Sequence, residues 1–390
     1  MTAESPAPTP CAPRTSDHLI VPHDFEANYV LGFVRGLKAL GKNIAVISSD
    51  ETSARLAAAG IPQYKLRGSL SPDRPKLQKA TNLARYYLLL LWTVFRHRGR
   101  TIHFNGLLTD RIIVFDGLLL PLWFRLWAGC YVHTAHNVLP HGKGDRPLFR
   151  RMYRWIYRFP HHIVAHTPRI AEELTRDFQV DPARITVISI GLNEEVPPTS
   201  LTRDEARQRL GVPVDAPLLV FFGKVESYKG VDVLAEAWGG VQTPNARAIV
   251  VGWCPDASYM RKIREAMARS PRAATIEWRE GFVPNEEVAQ WLAACDAVVM
   301  PYRNIYQSGV VFLCLRFGVP IVATKVGSLT EFIVDGETGM LADENSPEGI
   351  ARAIDQFFSS ANRFDRGEIA RRAEPYRWPQ QCLAIKHLYP

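Results

Sequence analysis

Cysteine is sparse and scattered in this chain. The 390 residues hold six, at positions 11, 130, 254, 295, 314 and 382, with no CxxC pair. That spacing supports neither a disulfide framework nor a zinc site, and it fits a reducing compartment. Long uninterrupted apolar runs are lacking as well. Residues 86–95 form an apolar stretch too short to cross a bilayer. Residues 112–131 have the length but contain Asp116, Pro121 and Arg125. A charge at mid-membrane costs roughly 2.5–3.5 kcal/mol, so no transmembrane helix is expected. The first 16 residues are rich in Pro, Ala, Ser and Thr and lack the apolar core of a signal peptide. They read as a disordered leader, and secretion is not expected.

Acidic charge is short in one half only. Residues 1–195 carry 25 Lys and Arg against 16 Asp and Glu, whereas residues 196–390 carry 22 against 23. The net +8 therefore resides in the first half, where an anionic membrane, a nucleic acid or a phosphorylated acceptor could meet it. Residues 149–159 interleave four arginines with aromatic residues, and RHRGR at 96–100 follows the first apolar stretch. Two readings stay open for 149–159: aromatic rings seated at a lipid interface among phosphate-binding arginines, or an amphipathic helix with a buried aromatic stripe. The charge asymmetry favours the first.

What is present is alternation. Short apolar runs at 18–21, 44–47, 102–104, 131–134, 163–165 and 185–188 read as strands of the first half. In the second half the strand candidates are 218–222, 248–251, 297–300 and 321–323. Helical spacing links them, as in Val30, Val34, Leu37 and Leu40 before Gly41, and over 231–238, 259–268 and 309–317. Pro197-Pro198-Thr199-Ser200 is the best linker signal. Two doubly wound α/β domains follow: 17–197, then 198–372, with a closing segment at 373–390.

Three segments of the second half carry candidate chemistry. In GKVESYKGVDVL (223–234) a strand ends at Gly223 and a helix begins near Gly230, so Lys224 and Lys229 stand at a strand's carboxyl end, where open α/β sheets bind ligands. Two ammonium groups there can hold a diphosphate and stabilise charge on a departing phosphate; solvated loop lysines are the alternative. In PYRNIYQSGVV (301–311), Ser308 suits a helix N-cap, and amides around 308–311 suit an anion. Tyr302 and Tyr306 could pack against a base or sugar. In VATKVGSLTEFIVDGETG (322–339), Glu331 could accept bonds from ribose hydroxyls, although Gly-rich turns of this kind occur in many folds.

Taken together, GKVESYKGVDVL, PYRNIYQSGVVFLCLRFGVPIVAT and VGSLTEFIVDGETGML resemble the donor domain of family-4-like GT-B glycosyltransferases. CYVHTAHNVLPHG, FPHHIVAHTPRIAEEL and ARITVISIGL resemble the acceptor domain of the same group. YRWPQQCLAIKHLYP is similar to its last helix, which packs back on the first domain. The resemblance implies a GT-B architecture of two Rossmann-like domains facing across a cleft, with acceptor binding at 17–197 and donor binding at 198–372. It also implies a GDP- or UDP-linked sugar as co-substrate and no further cofactor. Gly223, Lys224 and Lys229 match the donor diphosphate loop; Tyr302, Gln307, Ser308 and Gly309 match the loop beside phosphate and sugar; Glu331 matches a glutamate of the next loop. His136 matches a histidine near the reacting sugar, with His133 as the competing assignment.

Two departures stand out. The family's glutamates spaced by seven residues fall here on Ile305 and Leu313, and the glycine pair of the first loop is replaced by Pro22-His-Asp-Phe-Glu-Ala-Asn28. Asp24 in that segment is a candidate general base for an inverting reaction, or a helix N-cap. The YR…SG loop and the HN-x-x-PH segment are similar to those of xanthan-type exopolysaccharide mannosyltransferases. They point to GDP-mannose and a polyprenyl-diphosphate-linked glycan at the inner face of a bacterial membrane. With no DxD triplet and two lysines for the diphosphate, no metal is expected. A nucleotide-sugar epimerase and a non-catalytic scaffold subunit of the same fold are the rivals; nucleic-acid binding ranks last, since no recognised module accompanies the charge.

Overall fold

The short apolar runs become strands because branched aliphatic residues, alternating with helices, can be buried on both faces of a parallel sheet. A computed structural model describes residues 17–22, 27–69, 74–106, 115–139 and 147–390. The expected leader, Asp24 and the segment after Leu139 lie outside these residues. The chain divides into two units: residues 1–191 with 377–390, and residues 192–376.

The first unit holds seven parallel strands: β1 (His18–Pro22), β2 (Ile44–Ser48), β3 (Gln63–Lys65), β4 (Thr101–Asn105), β5 (Cys130–Ala135), β6 (His162–Ala165) and β7 (Ile185–Val187). Their order in the sheet is β3-β2-β1-β4-β5-β6-β7. The second unit holds six: β8 (Leu218–Phe222), β9 (Arg247–Val251), β10 (Ile276–Arg279), β11 (Ala297–Met300), β12 (Ile321–Thr324) and β13 (Gly339–Ala342). Their order is β10-β9-β8-β11-β12-β13. In each all-parallel sheet the strand order reverses once, between β1 and β4 and between β8 and β11. At such a switch point the neighbouring loops part and leave a crevice at the strands' carboxyl ends.

Both unit boundaries differ by a few residues from the sequence expectation, for visible reasons. Leu192 and Val196 are buried, and Arg316 Nη1 donates to the carbonyls of Asn193 and Val196 at 2.5 and 2.8 Å. The chain ahead of Pro197 is thereby fastened to the second unit. Tyr376 packs against Phe312 and Phe332, with ring centroids 5.0 and 5.6 Å away, so the second unit extends to it. Beyond it, Trp378 is buried in the first unit. A methyl group on Gly32 or on Gly191 would collide with its indole. Only glycine lets the indole lie flush against both backbones. Farther on, the Leu388 carbonyl accepts from Thr101 Oγ1 and the Tyr389 hydroxyl meets His103.

Among the described residues no helix is long and apolar enough to cross a membrane. The arginine-rich segment forms the helix Pro147–Arg158, which buries Met152, Tyr153, Ile156 and Tyr157. Its four arginines and Trp155 stay exposed.

Candidate active site

At the switch point of the second unit, two loops leave β8 and β11 side by side. Gly230, in the left-handed region at φ +67°, lies so close to the Pro301 carbonyl that any side chain would collide with it. Gly252, after β9, is held as tightly against the Gly223 carbonyl. The turn 223–230 is therefore clamped on both sides, and its lysines start from a fixed backbone.

Lys229 Nζ sits over Gly223, 3.5 Å from where a β-carbon there would be. Burial pushes its pKa down to about 8; Glu226 opposes this shift and Lys224 adds to it. Lys224 is exposed, pairs with Glu226 at 2.7 Å, and holds its ammonium 5.9 Å from the Trp253 ring centroid. Glu226 thus pairs with Lys224 and acts on Lys229 electrostatically, so one carboxylate stands against two ammonium groups and leaves positive charge for an anion.

A network that the sequence did not reveal fixes this turn to the next loop. Asp232, 1% exposed, accepts from Arg303 Nη1 and Nη2 at 2.8 and 2.7 Å, from Tyr259 at 2.7 Å and from Lys262 at 2.5 Å. Burial alone would raise the Asp232 carboxyl, but the bonds from Arg303, Lys262 and Tyr259 hold it well below the usual carboxylate range. Arg303 also donates to the Ser227 carbonyl, and its amide to the Tyr228 carbonyl, at 2.6 and 2.7 Å.

The 301–309 loop differs in detail from expectation. Tyr302 is 1% exposed, its ring 6.3 Å from that of Tyr228, and it packs beneath the loop rather than presenting a face to a ligand. Ser308 occupies the N-cap position of the helix Gly309–Arg316 but makes no side-chain cap bond. The first-turn amides at Gly309 and Val310 are thus left for another acceptor. A side chain on Gly309 would meet open space. Both polar ends of the Gln307 amide are buried with no partner among the described residues. Gly327 packs on the Ile305 carbonyl, and Ser328 Oγ next to it is buried and likewise unpartnered. Glu331, in the short helix Leu329–Phe332, is exposed.

In the first unit, His136 follows β5. Its Nε2 is 3.0 Å from Asn105 Oδ1 at the end of β4, beside the switch point. That contact ties the ring to the end of β4. Tyr29 and His166 pack against the ring with centroids 5.0 Å away. His133 is buried within β5, three residues before His136, and burial, then His136, lowers it to about 3. His103, also buried, lies between Tyr389 and Thr134. Of these histidines, His136 is partly open to solvent and His133 and His103 belong to the core. Among the described residues no three His, Cys, Asp or Glu side chains gather so as to hold a metal ion.

Comparison with known proteins matches both units. Residues 27–196 match the model of "Glycosyltransferase Family 4", and residues 216–360 that of "Glycosyl transferases group 1". A D-inositol 3-phosphate glycosyltransferase of Corynebacterium diphtheriae is 30% identical over 280 residues, covering 68% of this chain and 66% of that protein. One from Streptomyces scabiei is 29% identical over 244 residues, covering 60% and 54%. The match thus spans less than two thirds of these relatives' length. The crystal structure of Anabaena HepE in complex with UDP-glucose superimposes with a TM-score of 0.73 at 16% identity, covering 95% of this chain and 98% of that one.

Proposed function

This chain belongs to the GT-B glycosyltransferases, and from that premise we propose that it moves a hexosyl group from a nucleotide sugar to a lipid-linked glycan. The observation that carries the proposal is the Lys224–Lys229 pair on the clamped turn at the β8–β11 switch point. A nucleoside diphosphate leaving group gathers negative charge as the glycosidic bond breaks. Two ammonium groups on a rigid turn, with the Gly309 and Val310 amides nearby in sequence to Ser308, suit that charge without reorganisation. In this reading Gly223, Gln307, Ser308 and Gly309 contact phosphate or sugar, and Glu331 takes ribose hydroxyls. Tyr302 then supports the loop from below.

On the acceptor side, His136 at the end of β5 is the side chain to act near the reacting sugar, and Asp24 is the candidate base if configuration inverts. The acceptor in this reading is a polyprenyl-diphosphate-linked glycan of exopolysaccharide assembly, met at an anionic membrane surface, and GDP-mannose is the first donor to try. The relatives' name favours a second acceptor class, an inositol phosphate. It shares with the first a phosphate that the basic first unit would attract.

Calorimetric titration with GDP, UDP, ADP and dTDP tests the donor site. Selective binding to one, lost in Lys224→Ala/Lys229→Ala, is expected. Folded protein that binds none of them would leave a scaffold subunit as the better reading. Transfer assays with GDP-mannose and UDP-glucose, each against a lipid-linked glycan and against inositol phosphate, then separate the acceptors.

A further inference from the structure

The residues of the first unit that are left bare form a pattern. Leu88 and Trp92 on the helix Lys76–Arg96 are 70% and 57% exposed, and Leu126 on the helix Leu120–Trp127 is 64% exposed. Leu148 on the helix Pro147–Arg158 is 65% exposed, and Leu119 and Trp155 are bare as well. A single exposed leucine means little, but these lie on three helices and on the Phe115–Leu119 turn, which packs on the second and third of them. Trp123 Nε1 donates to the Leu91 carbonyl at 3.1 Å, and the rings of Phe95 and Trp127 meet at 4.7 Å. The Phe115–Leu119 turn is bound to the first helix through Tyr87, whose hydroxyl donates to Asp116 at 2.5 Å, and it packs on the third.

Among the described residues the exposed charge on these elements is positive. Residues 74–106, 115–129 and 147–159 contain a single acid, Asp116, and it is fully buried under Tyr87. Arg85, Arg96, Arg125, Arg154 and Arg158 are exposed on the same elements. Asp177, on the helix Pro168–Phe178, is an acid that feels the charge of Arg150.

We propose that this face docks flat on an anionic lipid surface, with Leu88, Trp92 and Leu126 entering the headgroup–acyl boundary and the arginines meeting lipid phosphates. An apolar stripe among exposed arginines suits such an interface, where leucine and tryptophan gain by leaving water and each nearby arginine gains from the surface potential. The proposal rests on the membrane-side acceptor read above and adds which surface meets the lipid. It extends the contact from the 149–159 helix alone to three elements.

The test is flotation of the full chain with vesicles of phosphatidylcholine, with and without phosphatidylglycerol, beside sedimentation of the protein alone. Wild type is expected to float only with the anionic vesicles. Leu88→Gln/Trp92→Gln/Leu126→Gln is expected to lower the bound fraction by at least about tenfold with an unchanged melting temperature. Arg96→Glu/Arg125→Glu, which leaves the apolar residues in place, should do the same. Flotation that is absent in wild type, or undiminished in both variants, overturns the proposal. A wild-type dimer that the triple variant turns into monomer, without flotation, would assign the face to a second copy and overturn it too. Nucleotide titration needs no lipid, so donor binding beside failed flotation sinks this inference alone. Failed nucleotide binding beside lipid-dependent flotation sinks the functional reading alone.

Discussion

Arg303 and Asp232 face each other through two parallel hydrogen bonds of 2.8 and 2.7 Å, one partner leaving β11 and the other opening the helix after β8. The pair crosses the switch point and sets the spacing of the two loops on which the lysines and Ser308 stand. Because Asp232 is buried, removing its main partner leaves charge that solvent cannot reach. Arg303→Ala should cost about 2 kcal/mol, below the 3–5 kcal/mol of a fully broken buried pair, since Lys262 and Tyr259 remain. Urea denaturation measures it. Nucleoside diphosphate affinity should fall with it, and Arg303→Lys, which cannot form the double bond, should restore little.

Lys229 makes anion binding sensitive to pH. Its pKa of about 8 in the free protein means that the ammonium is complete below pH 7 and is being lost above 8. A bound diphosphate favours the charged form, so binding draws in a proton as pH rises through 8. Affinity should then drop by up to about tenfold per pH unit between the free and bound pKa values. Titrations in buffers of different ionisation enthalpy read this proton uptake directly. Lys229→Met should bind more weakly at pH 7 and show no such slope.

The same shift has the opposite sign for stability. The unfolded lysine keeps its proton to about 10.4 and the folded one releases it near 8, so the unfolded chain holds more protons in between. This residue's contribution to stability should therefore rise with pH from about 8 to 10 and be flat below. Comparing wild type with Lys229→Met in urea across pH 7–10 isolates it.

His136 and Asp24 can be told apart by kinetics. If His136 acts on the acceptor or the reacting sugar, His136→Ala should lower kcat by about 10²–10⁴-fold and leave nucleotide affinity unchanged. Asp24→Asn should do so only if Asp24 is the base, and the acidic limb of the pH–rate profile should then vanish. Asn105→Ala removes a partner that holds the His136 ring, so a smaller loss of kcat than in His136→Ala is expected.

Trp378 is a wedge whose removal should be felt throughout the first unit. Trp378→Ala leaves a cavity between Gly32 and Gly191 and should cost about 3–5 kcal/mol. Gly32→Ala should destabilise through overpacking, and Gly32→Ala with Trp378→Ala should be less harmful than the two separate losses added together.

How much of this was legible in the sequence depended on where each residue lies. The interior strands could be read because both their faces are buried, which leaves unbroken runs such as LLVFF and AVVM. Three strands went unread, β3, β10 and β13, and each is a sheet edge with only one neighbour. QYK and IEWR mix polar residues into a half-exposed surface, and GMLA, though mostly buried, is short and opens on glycine, so no run announces them. The site divides in the same way. The glycine–lysine turn was readable because one short stretch makes both the bend and the charges. The Asp232–Arg303–Lys262 network was not, since its members come from three separate segments that only the fold brings together. Tyr302 shows the converse: an aromatic residue in a loop looks available until packing turns it inward.

Trp378 bears also on the order in which this molecule can be completed. The first unit is interrupted by the whole of the second, and the indole that fills the space between Gly32 and Gly191 is synthesised after both sheets. During translation the second unit can finish its core while the first still holds an open seam along Gly32 and Gly36. The earlier-made half therefore stays provisional, and exposed to misassociation, until residues 377–390 emerge to close it.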